Sequence, residues 1–266
     1  MIESTIAMPR GKQVHETSAK IIYEGTEADT HIQHFKDDPS PGKRGDDAVA
    51  LWQAGRGVLN NRISEVLMAR LADMGVANHL IRRLNMREQV VRATERLPIG
   101  VKIRNLAAGA FASRLGMPEG LKLPRPMVEF FLRSDELNDP LITEDNIAAF
   151  NWASPQDLDD LVALSMRTND ILSGLFIGVG LKLVDFRLEF GRLWEPLENG
   201  QEEMRIIIAD EMTPDNCRLW DNQTGEKLES LRDSETGLDG HRLVAARLGI
   251  MPDAGPRDLQ GPKTVQ

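Results

Sequence analysis

The chain holds one cysteine, Cys217, so no intramolecular disulfide can staple it. Its first residues lack a basic-then-apolar stretch, which gives no signal-peptide reading, and a reducing cytoplasm is the expected compartment. No apolar run approaches the ~20 residues needed to cross a bilayer, so a membrane partner is not expected. A concentrated basic face is missing as well. The 32 Lys and Arg stand against 41 Asp and Glu, and a net charge of -9 argues against adhesion to nucleic acid. His15, His31, His34, His79 and His241 recur at no zinc-ligand interval, and no second cysteine exists to join them. No internal repeat divides the chain.

What is present starts with length. A chain of 266 residues buries enough apolar surface for one large domain or for two lobes sharing a cleft. Residues 1–13 carry no sustained periodicity and read as a flexible N-terminus, while 251–266, with Pro252, Pro256 and Pro262, reads as a disordered tail. Residues 39–47, rich in Gly, Pro, Lys and Asp, read as a mobile loop after a strand. Between the ends, the hydrophobic pattern switches between two-residue and 3.6-residue periods, which predicts an α+β architecture.

Residues 20–23 and 31–35 read as short hairpin strands. Leu59, Ile63, Val66, Leu67, Arg70 and Met74 lie at helical spacing before Gly75, so the spacing predicts an amphipathic helix over 59–74. A second helix is predicted from Ser154, a capping serine followed by Pro155 at the first turn and Asp157 three residues on, running to about Ser173 with Gly174 as its stop.

Chemistry concentrates in residues 183–191. Strict alternation puts Val184, Phe186, Leu188 and Phe190 on one strand face and Asp185, Arg187 and Glu189 on the other. By itself that charged row fits a solvated edge strand as well as a functional surface. After a polar loop from Trp194 to Glu203, residues 205–209 form an apolar strand ending in Asp210 and Glu211, and a hairpin would bring Asp210 beside Glu189. Two carboxylates so placed repel unless a cation joins them, and an oxygen-only ligand set favours Mg2+ together with nucleotide phosphates. Residues 213–221 follow, where Asp215 can receive an amine and Arg218 can orient a carboxylate or phosphate; a turn or helix cap is the plainer alternative. Upstream, a short strand at 101–104 runs through Asn105 into Ala107, Ala108 and Gly109 and then a helix stopping at Gly116. This either lets backbone amides and Arg104 approach an anion or simply packs a tight turn.

These segments resemble the phosphoribosylaminoimidazole-succinocarboxamide synthase, or SAICAR synthetase, family. The likeness extends over residues 14–250 and rests on Phe35-Lys36-Asp37-Asp38, on Gly57 through Ser64, on Arg104-Asn105 with Ala107-Ala108-Gly109, on Asp139-Pro140, on the 183–192 strand, and on Asp210-Glu211 through Trp220-Asp221. It implies a two-lobed α+β fold, with an N-terminal lobe over 14–95 and a C-terminal lobe over 96–250. It also implies a ligase in which ATP activates the carboxylate of a phosphoribosyl-aminoimidazole and L-aspartate displaces phosphate. By resemblance, Glu189 and Asp210 hold Mg2+ and, with Arg104, carry catalysis. Lys20, Arg187 and Lys36 hold ATP, while Arg104, Asn105, Asp215, Arg218 and Asp38 hold the substrates. The family's bacterial members are commonly oligomeric, so a homo-oligomer is expected. The chain departs from the family pattern at Glu16-Thr17-Ser18-Ala19-Lys20, which lacks a glycine and one lysine, and at 39–43. Further departures are Gly100 for a glutamate, Ala110 for a serine, Arg187 for a lysine, and the stretch after Lys227. Those departures leave open an alternative, a catalytically impaired paralogue acting as a nucleotide-binding or regulatory partner protein.

Overall fold

A computed structural model describes residues 10–17, 19–37, 55–134, 136–196, 200–228 and 238–250. The expectations for 1–9, for 39–47, for 251–266 and for Asp38 lie outside the described residues.

Two antiparallel sheets build the molecule. In the first, β1 (Gln13–Glu16), β2 (Lys20–Glu24), β3 (Thr30–Phe35), β4 (Leu80–Arg83) and β5 (Glu88–Arg92) are ordered β1-β2-β3-β5-β4. The second contains β6 (Glu95–Leu106), β7 (Lys122–Leu132), β8 (Leu141–Ile142), β9 (Leu181–Pro196) and β10 (Glu202–Ile208). Their order is β10-β9-β6-β7-β8, and β11 (Cys217–Asp221) pairs with β9. Five helices accompany them among the described residues: α1 (Arg56–Asp73), α2 (Gly109–Leu115), α3 (Glu144–Ala149), α4 (Pro155–Gly178) and α5 (Asp239–Arg247).

Helix α1 starts before the predicted 59, because Gly55 at φ 101 turns the chain into it. Its buried apolar stripe is Ile63, Leu67, Met68 and Leu71, whereas Met74, expected on that stripe, is 52% exposed and Arg70 faces solvent. The same helix also buries Arg56, Asn60, Asn61 and Ser64, a polar set that leads to the site described below.

Helix α4 opens as expected, with Ser154 accepting from Asp157 N and Asp157 returning a bond to the Ser154 N–H. Ser154→Ala should therefore lower stability by about 1 kcal/mol, read as a shifted urea midpoint at unchanged m. The helix does not stop at Gly174. Leu172 and Phe176, both at 0% exposure, carry the buried stripe across that glycine, whose cost of about 1 kcal/mol is outweighed by their burial, and the turn comes at Gly180, φ 76.

Strand β9 is longer than predicted at both ends, and Trp194 to Pro196, expected in a loop, pair with β10. Because β9 lies between β6 and β10, its charged row is not a solvated edge: Asp185 and Glu189 are each 8% exposed. A register shift between Arg218 and Leu219 in the β9–β11 ladder moves Val184 out of line. Val184 joins Leu106, Ala108 and Trp220 in a small cluster, while Phe186, Leu188 and Phe190 enter the main core.

Register then lays out one face of the second sheet as three aligned rows. Met127, Glu129 and Phe131 of β7 stand opposite Arg104, Lys102 and Gly100 of β6, which stand opposite Asp185, Arg187 and Glu189 of β9. Gly100 is required by space. A Cβ there would lie 2.3 Å from the Phe131 ring and 2.7 Å from the Leu188 carbonyl oxygen. Gly100→Ala should cost about 1–3 kcal/mol through overpacking, measurable as a lowered Tm.

Candidate active site

The turn before β2 delivers Lys20. Thr17 Oγ1 accepts from the N–H of Ala19 and of Lys20, each at 3.3 Å, and Lys36 ties the turn down by donating to Glu16 Oε1 at 2.8 Å and to the Thr17 carbonyl at 3.1 Å. Lys20 is 4% exposed, and its ammonium is paired with both Asp210 and Glu211. Burial depresses the Lys20 pKa despite the opposing pull of Glu211 and Glu189.

Hairpin β9–β10 supplies the acids. The Ala209 N–H donates to the Glu189 carbonyl at 2.9 Å, which sets Asp210 at the end of the ladder beside Glu189. The Glu189 carboxylate is held by Arg133 at 2.5 Å, Arg187 at 2.8 Å and Arg96 at 3.2 Å. Burial alone would raise its pKa, but Arg133, Lys20, Arg187 and Arg96 outweigh burial and hold it at about 2. Arg187 in turn pairs at 2.7 Å with Asp139, which sits in a left-handed turn at φ 49. Glu189, Asp210, Glu211 and Asp139 thus face Lys20, Arg96, Arg133 and Arg187, four acids against four bases, and the cluster is close to neutral.

Beside Lys20 lies a small cavity of about 40 Å³ lined by Ile22, His31, Gln33, His79, Val91 and Thr94 among others. Burial first, then the charge of Lys20, press the His79 pKa down to about 3, so its imidazole is neutral.

On the far side of Arg187 a second cavity of about 310 Å³ is bounded by Lys102, Arg104, Asp185, Arg187, Asp215 and Arg218. Arg104 donates to Glu129 at 2.9 Å and to Asp185 at 2.8 Å, and Arg218 donates to Asp185 at 3.0 Å.

The surroundings match known proteins closely. A SAICAR synthetase family model matches residues 13–235. Two curated relatives, the phosphoribosylaminoimidazole-succinocarboxamide synthases of Rhodospirillum centenum and Acidiphilium cryptum, are each 53% identical, covering 97% of this chain and 100% of their own. The chain belongs to the SAICAR synthetase family.

Among solved SAICAR synthetases, the phosphoribosylaminoimidazole-succinocarboxamide synthase of Ehrlichia chaffeensis superposes with a TM-score of 0.79 at 39% identity, over 91% of this chain and 100% of that one. A SAICAR synthetase in complex with ADP superposes at 0.78 with 29% identity, over 91% of this chain and 100% of that one.

Of the residues expected to form a SAICAR synthetase site, Lys20, Glu189, Asp210, Arg187, Arg104 and Arg218 converge on this cleft. Lys36 stands behind the Lys20 turn rather than in the cluster. Asn105 turns to the opposite side of β6, donating to Asn169 of α4 at 2.8 Å and to the Leu183 carbonyl at 3.3 Å, because odd and even positions of a strand face opposite ways. Asp215, which the sequence offered as an amine receptor, is clasped by Arg56, by Asn60 at 2.7 Å and by His241 at 3.2 Å. The amides opening α2 are partly engaged too, with Gly109 N–H donating to Glu119 at 3.4 Å. Sequence reading missed Arg96, Arg133, Asp139, Lys102, Arg56 and His241. Only Asp139 carried a local signal, its place beside Pro140.

Proposed function

We propose that the chain is an ATP-dependent carbon–nitrogen ligase joining L-aspartate to the carboxylate of phosphoribosyl-aminoimidazole carboxylate, with release of ADP and phosphate. The observation that carries this reading is one continuous cleft face. The Lys20, Glu189 and Asp210 cluster lies at one end, the arginine-lined cavity at the other, and Arg187 borders both. Identity of 53% over nearly the whole length of two synthases supports the same reading.

The triphosphate of a bound nucleotide would extend over Lys20. Glu189 and Asp210 offer carboxylate oxygens alone, which fits Mg2+ held by one or two carboxylates plus phosphates and waters. When bound, Mg2+ would neutralise charge on the phosphates. Lys20, Arg96 and Arg133, now paired with carboxylates, would swing onto phosphate oxygens and free those carboxylates for the metal. Arg104 and Arg218 would orient the anionic imidazole substrate. Its carboxylate oxygen attacks the γ-phosphorus as ADP leaves. The aspartate nitrogen then attacks the acyl carbon, losing a proton as phosphate leaves. The protein contributes position and charge rather than a covalent partner. A homo-oligomer in the cytoplasm belongs to the same reading; among the described residues no helix is long and apolar enough to cross a membrane.

Purified chain supplied with ATP, Mg2+, the imidazole carboxylate and L-aspartate should release phosphate only when both organic substrates are present. Absence of release above a Glu189→Ala control would overturn the proposal. Rescue of a purine auxotroph by this chain alone is the second expected result.

A further inference from the structure

The cavity that would hold the substrates contains one cation that the rest of the site does not use. Arg104 is held by Glu129 and Asp185, Arg187 by Asp139 and Glu189, and Arg218 by Asp185. Lys102, at the centre of the three aligned rows, has no hydrogen bond or ion pair among the described residues. Its opposite residue on β7 is Glu129, but that carboxylate is drawn aside by Arg104 and Arg114. Its opposite residue on β9 is Arg187, another cation.

What Lys102 touches is an aromatic face. Its ammonium lies 4.8 Å from the centroid of Phe131, and the Arg187 guanidinium lies 4.7 Å from the same centroid. Two like charges gathered on one ring repel, and an anion between them removes the repulsion. Burial, then Arg187 and Arg104, hold the Lys102 pKa below the ordinary lysine value, as befits a cation pressed among others. A lysine serving only to cover apolar surface would carry its charge out to water. This one lines the cavity instead, between the nucleotide end at Arg187 and the substrate end at Arg104.

We propose that Lys102 is an anion-binding residue of the substrate cavity, taking a carboxylate or phosphate oxygen of the bound substrate in the gap between Arg104 and Arg187. The identity of that substrate rests on the ligase reading; the anion site itself does not.

The first test needs no turnover. Full-length chain is treated with pyridoxal 5′-phosphate and borohydride, and modified lysines are mapped by peptide mass. Lys102 should be labelled ahead of the exposed Lys122 and protected at least about fivefold by millimolar inorganic phosphate, L-aspartate or the imidazole carboxylate. Labelling no faster than at Lys122, or labelling that none of the three slows, overturns the proposal. The second test is kinetic. Lys102→Met should raise KM about tenfold or more for the organic substrate that protects best, leave KM for ATP within about twofold, and be largely reversed by Lys102→Arg. The substrate affected identifies the source of the oxyanion. Unchanged KM values in Lys102→Met would overturn the site. If the unaltered chain shows no turnover, the ligase reading fails alone, and the labelling result still decides the fate of Lys102.

Discussion

Glu189→Gln is expected to lower phosphate release by about 10²–10³-fold, the scale seen when a preorganised charge partner of a transferring group is lost. Glutamine keeps the shape but removes the charge that balances Arg96, Arg133 and Arg187 and that would receive the metal. Asp210→Asn should act in the same direction, because it strips Lys20 of one of its two carboxylates. Thermal melts of both variants separate lost chemistry from lost fold. Turnover within about threefold of the parent in either well-folded variant would reject the role assigned to that residue. The acid limb of the rate profile is a related check. With its pKa held at about 2, Glu189 stays ionised at every pH where the protein is handled, so an activity loss between pH 5 and 7 must be set by another group.

Asp215→Ala carries the largest expected loss of stability, about 3–5 kcal/mol, since it leaves the guanidinium of Arg56 buried without its carboxylate. Arg56 is only 4% exposed, and water has little access to replace the missing partner. Asn60 loses its acceptor in the same step, and His241 loses the carboxylate that lies 3.2 Å from its Nε2. The pH dependence follows from linkage. Burial raises the Asp215 pKa, but His241 and Arg56 overturn that and hold it well below the ordinary aspartate value of 3.8 that applies in the unfolded chain. The contribution is therefore complete above that unfolded value and disappears as pH falls toward the folded one. Urea midpoints measured from pH 7 down to pH 3 should fall in the parent, while in Asp215→Ala this component of the slope is missing. A loss below 1 kcal/mol at pH 7 would show that Arg56 finds another partner.

Local periodicity made much of this architecture legible. The two-residue alternation of 183–191 exposed Asp185, Arg187 and Glu189 as one row, and the apolar strand ending in Asp210 needed only a hairpin to meet them. Ser154 announced its helix through a cap contained within four residues. What escaped were relations across long separations. Nothing near Glu189 in sequence points to Arg96 or Arg133, and nothing near Asp215 points to Arg56, 159 positions away. Phase was a second obstacle. Asn105 follows Arg104 in the chain but faces helix α4, and Val184 lies across an irregularity that alternation cannot announce. Gly174 misled because a glycine can end a helix but cannot outweigh Phe176 two residues on.

Strand β9 acts as a ruler shared by both ends of the cleft, with Asp185 lining the arginine-rich cavity and Glu189 standing in the charged cluster around Lys20, Arg133 and Arg187. Inserting or deleting a single residue between them would turn one part of the row into the core and bring Phe186 or Leu188 out into the cleft. Divergence along this strand is thereby channelled into replacements in place. Changes of length have room only beyond the marked interval, and the offset at Val184 shows the backbone absorbing such an irregularity just outside it.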